Sequence, residues 1–241
     1  DIITGGGGND TLVGGTGNDT FNVDSGTDII TLLGGDNSGA GGDSDVLVVS
    51  SGAIVNASNI NSFTATGASS NSGTANLSTK AAGGTINMAA SNSGAYNING
   101  GAGDDILTGG SGNDVFTVAA TTEADDDTIN GGGGTDTINL STGTHTLDDD
   151  AKLANIETIV ANSSGSTLVL TNQAEGFTLT GGSGTDDFTG GSGADVMTGG
   201  AGNDTFVGGT GNDTFNIDSG TDTIKDLGTG SDIFVVSSGA I

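Results

Sequence analysis

The sequence predicts an all-β protein built as a parallel β-roll, a form of β-helix solenoid. The first observation is a nine-residue period: GGSGTDDFT, GGSGADVMT, GGAGNDTFV and GGTGNDTFN follow one another from Gly181, and a worn unit, IDSGTDTIK, ends at Lys225. The second is one apolar residue per unit between small or polar neighbours, as in a very short strand. Because one nonapeptide cannot bury its own apolar residue, half-turns must face each other and coils must stack.

Each unit reads Gly-Gly-x-Gly-x-Asp-x-apolar-x, and its first six residues have the composition of a tight metal-binding turn. Glycine accepts positive φ, so the turn can coil and aim its carbonyl groups inward. The aspartate at position six adds a carboxylate beside these carbonyls, and Ca²⁺ takes about 6 to 8 oxygen ligands. The pattern therefore predicts calcium-loaded blocks, and segments without the motif are expected to form ion-free rungs.

These units resemble the RTX (repeats-in-toxin) nonapeptides, which form a calcium-loaded parallel β-roll. The resemblance covers about half of the chain and rests on units in uninterrupted succession. It implies that Asp186, Asp204 and Asp222, which are 18 residues apart, line one edge of the roll. Asp195 and Asp213 would then line the other edge.

The motif comes and goes along the chain, which predicts five segments. RTX blocks are expected at 1–54, 100–139 and 181–241, and ion-free solenoid rungs at 55–99 and 140–180. A flexible linker is the alternative for the Ser- and Asn-rich segment 55–99. A polar loop at 34–44 and an acidic insertion containing Glu123, Asp125 and Asp126 interrupt the pattern.

The candidate calcium ligands are the aspartates at or near position six, together with backbone carbonyls of turn glycines. The aspartates are Asp1, Asp10, Asp19, Asp28, Asp45, Asp105, Asp114, Asp127, Asp136, Asp186, Asp195, Asp204, Asp213, Asp222 and Asp232. The glycines are Gly5, Gly14, Gly100, Gly109, Gly131, Gly181, Gly190, Gly199 and Gly208.

A second, much longer repeat relates the two ends of the sequence. VGGTGNDTFNVDSGTD at 13–28 returns at 207–222 with one substitution, an offset of 194 residues. DVLVVSSGAI at 45–54 likewise returns as DIFVVSSGAI at 232–241. We therefore expect the sequence to come from an array of tandem modules, each of which joins the next end to end.

Composition excludes several classes of partner and activity. The formal charge is −27 with only three Lys and Arg residues, so neither nucleic acid nor an anionic membrane surface is an expected partner. No apolar run is long enough to insert into a membrane, and the absence of cysteine fits an extracellular protein. His145 is the only histidine and is expected to be exposed, and HExxH and GxSxG motifs are absent, so no enzyme is predicted.

The resemblance implies a calcium-dependent structural module of a secreted bacterial surface layer, sheath or extracellular fibre. The segment ANIETIV at 154–160 resembles a rung found between RTX blocks in bacterial surface-layer proteins. The expected partner is another copy of the module, in a fibre or lattice, and cell-surface polysaccharide is a further candidate. The alternatives are the spacer stalk of an RTX adhesin and the calcium-folded tail of a type I secreted enzyme.

Overall fold

A computed structural model describes residues 1–31, 33, 44–118, 127–227 and 229–237. The all-β prediction is confirmed: these residues contain parallel strands and no helix. Accordingly, none of them belongs to an apolar helix of membrane-spanning length. Most of the predicted loop at 34–44 and the acidic insertion at 119–126 lie outside the described residues.

The chain divides into two compact units, and the first comprises Asp1–Thr117 and Asp126–Asp136. Its strands form three parallel sheets, with the orders β1-β3-β5-β8, β7-β10-β12-β14 and β2-β4-β6-β9-β11-β13. The strands are β1 (Ile2–Thr4), β2 (Thr11–Val13), β3 (Thr20–Val23), β4 (Thr27–Thr31), β5 (Val46–Val49), β6 (Ile54–Ile60), β7 (Ser62–Thr64), β8 (Ser70–Asn71), β9 (Thr74–Thr79), β10 (Thr85–Asn87), β11 (Tyr96–Gly101), β12 (Ile106–Thr108), β13 (Val115–Val118) and β14 (Thr128–Asn130).

The second unit comprises Val118–Asp125 and Thr137–Ile241. Its two main sheets are also parallel, with the orders β15-β18-β20-β22-β24-β26 and β16-β19-β21-β23-β25. The strands are β15 (Thr137–Leu140), β16 (Gly143–Thr146), β17 (Leu153–Ala154), β18 (Thr158–Val160), β19 (Ser166–Val169), β20 (Thr178–Thr180), β21 (Asp187–Thr189), β22 (Val196–Thr198), β23 (Thr205–Val207), β24 (Thr214–Ile217), β25 (Thr223–Asp226) and β26 (Ile233–Val236).

The apolar residue of each nonapeptide forms the core of the second unit. In β21, β22 and β23 only the central residue is buried. Phe188 pairs with Phe206 one coil later, and Phe206 faces Phe215 across the roll, with ring centroids 6.2 Å apart in both pairs. These rings are at most 1% exposed. The predicted arrangement of facing half-turns and stacked coils is therefore confirmed.

Segment 55–99, for which a linker was the alternative, forms strands β6 to β11 within the first unit. Its coils are joined by asparagine side chains where the calcium motif is absent. The side-chain amide of Asn76 donates to Asn56 at 2.9 Å, and that of Asn97 donates to Asn76 at 2.8 Å. This ladder joins three successive coils without an ion.

One local expectation for the second ion-free segment was wrong. His145 was expected to be exposed and is instead fully buried. The alternation of β16 turns its side chain inward, where Nε2 donates to the carbonyl of Ser141 at 2.9 Å. Burial lowers the pKa of this imidazole.

Candidate metal centre

The aspartates at position six form ladders that run from coil to coil. In each ladder Oδ1 accepts a hydrogen bond from the backbone N–H of the equivalent residue one coil earlier. Asp186 donates to Asp204 at 2.8 Å, and Asp204 donates to Asp222 at 3.1 Å. On the opposite sheet, Asp195 donates to Asp213 at 2.9 Å and Asp213 to Asp232 at 3.0 Å. The structure thus places these aspartates on the two edges that the resemblance implied.

The first unit repeats this geometry with the remaining predicted aspartates. Oδ1 of Asp28 accepts from Asp10 at 3.0 Å, and that of Asp45 accepts from Asp19 at 2.9 Å. Two further pairs in this unit are Asp105 with Asp127 at 2.8 Å and Asp114 with Asp136 at 2.7 Å. Asp1 takes part through its terminal nitrogen, which lies 2.7 Å from Oδ1 of Asp19, while its side chain is exposed.

The second carboxylate oxygen divides the aspartates into two groups. In the first group Oδ2 is buried and has no hydrogen-bond partner. A buried carboxylate oxygen without a partner is strongly unfavourable, and a cation bound beside it would remove that cost. The group therefore has the donor chemistry that a hard cation requires. Its members are Asp10, Asp19, Asp28, Asp105, Asp204, Asp213 and Asp222.

In the second group Oδ2 accepts a hydrogen bond from the backbone of its own turn. The N–H of the second glycine donates to Asp114 at 2.6 Å, to Asp186 at 3.0 Å and to Asp195 at 3.2 Å. The residues one coil earlier are Tyr96, Ser166 and Phe177, which supply no carboxylate. Each of these three aspartates is therefore the first of its ladder, and backbone N–H groups from the preceding coil and from its own turn satisfy its two oxygens.

Backbone conformation separates the same two groups. In five units of the first group the second and fourth glycines have positive φ, for example 91° at Gly200 and 145° at Gly202. The other pairs are Gly6 and Gly8, Gly15 and Gly17, Gly101 and Gly103, and Gly209 and Gly211. The corresponding glycines of the second group, Gly110, Gly112, Gly182, Gly184, Gly191 and Gly193, lie outside that region. The turn therefore has two conformations. In the open one Oδ2 of the aspartate has no hydrogen-bond partner, and in the closed one Oδ2 accepts from the N–H of the second glycine.

The first glycine of the unit is required for space. A Cβ at Gly199 would collide with Oδ2 of Asp204, and a Cβ at Gly208 with Oδ2 of Asp213. Gly14, Gly100, Gly109, Gly181 and Gly190 have the same relationship to the aspartate of their own unit. The predicted ligation by the carbonyls of first-position glycines stays a prediction.

Burial also governs the protonation of these carboxylates. Loss of hydration raises the pKa of Asp105, Asp114, Asp195 and Asp204 to about 6. It raises the pKa of Asp186 and Asp213 as well. Neighbouring carboxylates also raise the pKa, as Asp222 and Asp186 do for Asp204. Without a cation the ladder therefore disfavours its own negative charge.

Sequence reasoning missed two kinds of residue in these turns. Asn at position five also joins coils, since Oδ1 of Asn203 accepts from Thr221 at 2.9 Å and that of Asn212 from Ser231 at 2.8 Å. Its recurrence before the aspartate was the available signal. The second is Asp218, which occupies position two of the worn unit and lies in one cluster with Asp204 and Asp222. The signal there was an acidic residue in place of a glycine.

Comparison with known families decides the identity of the repeat. The sequence model of the RTX calcium-binding nonapeptide repeat (4 copies) matches residues 4–38, 92–118, 120–144, 180–215 and 189–224, which together exceed half of the chain. The chain belongs to the RTX calcium-binding repeat family. A search of the curated proteins returned no match. The ladders described above are therefore RTX turns, and the ion they bind is calcium.

The residues present fit calcium on structural grounds. RTX turns of the open type each offer a buried carboxylate oxygen with no other partner. Successive open turns bring these carboxylates into one column, as with Asp204 and Asp222. Calcium supplies positive charge that offsets carboxylate repulsion between stacked coils. In closed RTX turns a backbone N–H donates to Oδ2 instead, so that this oxygen has a partner without an ion.

Proposed function

We propose that the chain is a calcium-dependent structural module of a secreted bacterial surface layer, sheath or extracellular fibre, and that modules associate end to end. RTX repeats occur in secreted proteins, which supports an extracellular location. This function requires no catalytic group. Stacked coils that are joined by calcium form a continuous solenoid, and the solenoid itself is the structural element.

One comparison within the chain supports this proposal most strongly. Strand β5 and strand β26 are copies of each other in the long repeat, with the sequences VLVV and IFVV. In the first unit Leu47 and Val49 of β5 are each 1% exposed, because β8 pairs with β5 and the following coils cover it. In the second unit the equivalent Phe234 and Val236 of β26 are 47% and 67% exposed.

The covered copy at β5 indicates that further parallel coils of the same kind, from the same polypeptide or from a second copy of the chain, suit the β26 surface. Strand edges have free N–H and C=O groups that template further pairing, and here the edge is also apolar. The first unit has parallel strand edges of its own at β1 and β2, which are the terminal strands of two of its sheets. Because the two edges differ, their contact is head to tail, and repetition of such a contact produces a fibre or an open lattice.

Electron microscopy and light scattering of the purified chain in millimolar calcium test the proposal. We expect fibres or lattices for the natural sequence and dispersed particles for Phe234→Asp. The control is Ile106→Asp, at a residue that is similarly exposed, 53%, on another strand. This variant should assemble like the natural sequence. Dispersed particles of the natural sequence at saturating calcium would contradict the proposal and favour an adhesin stalk.

A further inference from the structure

We propose that Asp218 is a calcium ligand that no pattern in the repeat assigns, and that it completes a three-carboxylate site with Asp204 and Asp222. One carboxylate oxygen of each residue lies within 4.8 Å of one from each of the others. In the repeat, position two is a glycine, which has no side chain to contribute. The site therefore differs in composition from the paired-aspartate sites of the other open turns.

The hydrogen bonds leave one free oxygen on each of the three residues. Oδ1 of Asp204 accepts from Asp186 at 2.8 Å, Oδ1 of Asp222 accepts from Asp204 at 3.1 Å, and Oδ2 of Asp218 accepts from Gly200 at 2.9 Å. The other oxygen of each carboxylate is buried and has no hydrogen-bond partner. Asp204 itself is only 1% exposed. A cluster of three carboxylates with three free buried oxygens favours a bound cation.

Asp218 also changes the turn that precedes it. In closed turns the N–H of the second glycine donates to the aspartate of its own unit, as Gly182 does to Asp186 at 3.0 Å. Gly200 is the second glycine of the unit of Asp204, but its N–H donates to Asp218 in the next coil. The N–H of Gly200, which could otherwise close the turn of Asp204, is therefore already bound to Asp218. Oδ2 of Asp204 stays free for the ion.

The long repeat provides an internal control. Asp24, Asp10 and Asp28 are the counterparts of Asp218, Asp204 and Asp222 at an offset of 194 residues. Asp10 and Asp28 keep buried oxygens without partners, but Asp24 is exposed, and these three do not form a metal-binding group. The same sequence pattern thus gives a two-carboxylate site in the first unit and a three-carboxylate site in the second.

Affinity for calcium rises with the number of charged ligands in a site. The site at Asp218 should therefore be the tightest of the open-turn sites and should fill first in a titration. This inference concerns calcium binding alone, so it stands or falls independently of whether modules assemble.

Isothermal titration calorimetry with calcium, combined with thermal unfolding, tests the inference. Asp218→Asn should weaken the tightest class of sites by about tenfold or remove one calcium from it. Asp24→Asn should leave the isotherm unchanged. Asp218→Gly restores the glycine of the repeat, and it should show the same loss even if the asparagine variant folds poorly. Isotherms of Asp218→Asn and Asp218→Gly that match the natural sequence would overturn the assignment, as would an equal loss in Asp24→Asn.

Discussion

The backbone N–H of Asp186 lies 2.8 Å from Oδ1 of Asp204, the equivalent residue of the next coil on the same sheet. One carboxylate therefore joins two coils through Oδ1 and still has Oδ2 available for a cation. The same contact brings successive negative charges into a column, so the hydrogen bond that orders the roll also creates repulsion within it. Calcium resolves this conflict, which makes coil stacking and ion binding a single event.

Neutralising an open-turn aspartate should weaken calcium binding more than neutralising a closed-turn one. Asp213 has a free buried Oδ2, whereas Oδ2 of Asp195 accepts from Gly191 at 3.2 Å. We expect Asp213→Asn to raise the calcium concentration at the folding midpoint on the order of tenfold. Asp195→Asn should lower thermal stability by about 1 kcal/mol through its lost hydrogen bond, with little change in that midpoint.

Calcium titrations followed by far-UV circular dichroism would measure both midpoints. The two aspartates lie in one ladder, one coil apart, so each is the matched control for the other. Equal midpoint shifts would show that the open and closed turns do not differ in calcium binding.

Replacing a first-position glycine should destabilise the roll more than replacing a third-position glycine. A methyl group at Gly199 would strike the carboxylate of Asp204, which is fixed on both sides by the ladder. We expect Gly199→Ala to cost at least about 2 kcal/mol of unfolding free energy in saturating calcium. Gly133 occupies position three, has no close neighbour and lies outside the positive φ region, so Gly133→Ala should change stability by less than about 0.5 kcal/mol.

Chemical denaturation in saturating calcium provides these values. The prediction fails if the two alanine variants have the same midpoint of denaturation.

Acid should stabilise the ion-free roll and destabilise the calcium-loaded one. Burial raises the pKa of Asp105, Asp114, Asp195 and Asp204 to about 6, so the folded ion-free chain binds these protons more tightly than the unfolded chain. Its stability should therefore be greatest below the unfolded carboxyl pKa of about 4 and should decline as pH rises through about 6. With calcium bound, protons compete with the ion, and stability should fall as pH falls.

Far-UV circular dichroism and thermal unfolding at pH 4.5 and 7.5 should thus show opposite trends for the two forms. Metal-stripped protein should have more β-structure at pH 4.5, whereas protein in excess calcium should be more stable at pH 7.5. Parallel trends in the two series would mean that the buried carboxylates are not the groups that calcium neutralises.

Periodicity was enough to predict which residues face the core, because a nine-residue unit folded as half a coil buries its apolar residue, as Phe188, Phe206 and Phe215 show. The two edges of aspartates came from the resemblance to RTX repeats. Burial of His145 could have been inferred from the two-residue alternation in β16, because its neighbours Thr144 and Thr146 face outward. Composition had suggested a polar surface residue instead.

The division between open and closed turns could not be predicted from any single unit. GGSGND before Val115 and GGAGND before Thr205 are nearly identical, yet Asp114 is closed and Asp204 is open. The coils that precede these two units also differ, since they supply Tyr96 in one case and Asp186 in the other. Asp218 was missed for a related reason: its role depends on Gly200 in the previous coil and not on its own unit.

Far-UV circular dichroism of the purified chain before and after removal of calcium tests the central claim most directly. The claim is that, at neutral pH, stacked carboxylates such as Asp204 and Asp222 hold the parallel roll together only when calcium neutralises them. We predict a β-rich spectrum at neutral pH in millimolar calcium, its loss in excess chelator, and its recovery when calcium is restored. A β-rich spectrum that persists in chelator, with metal analysis confirming that the protein is calcium-free, would contradict the account.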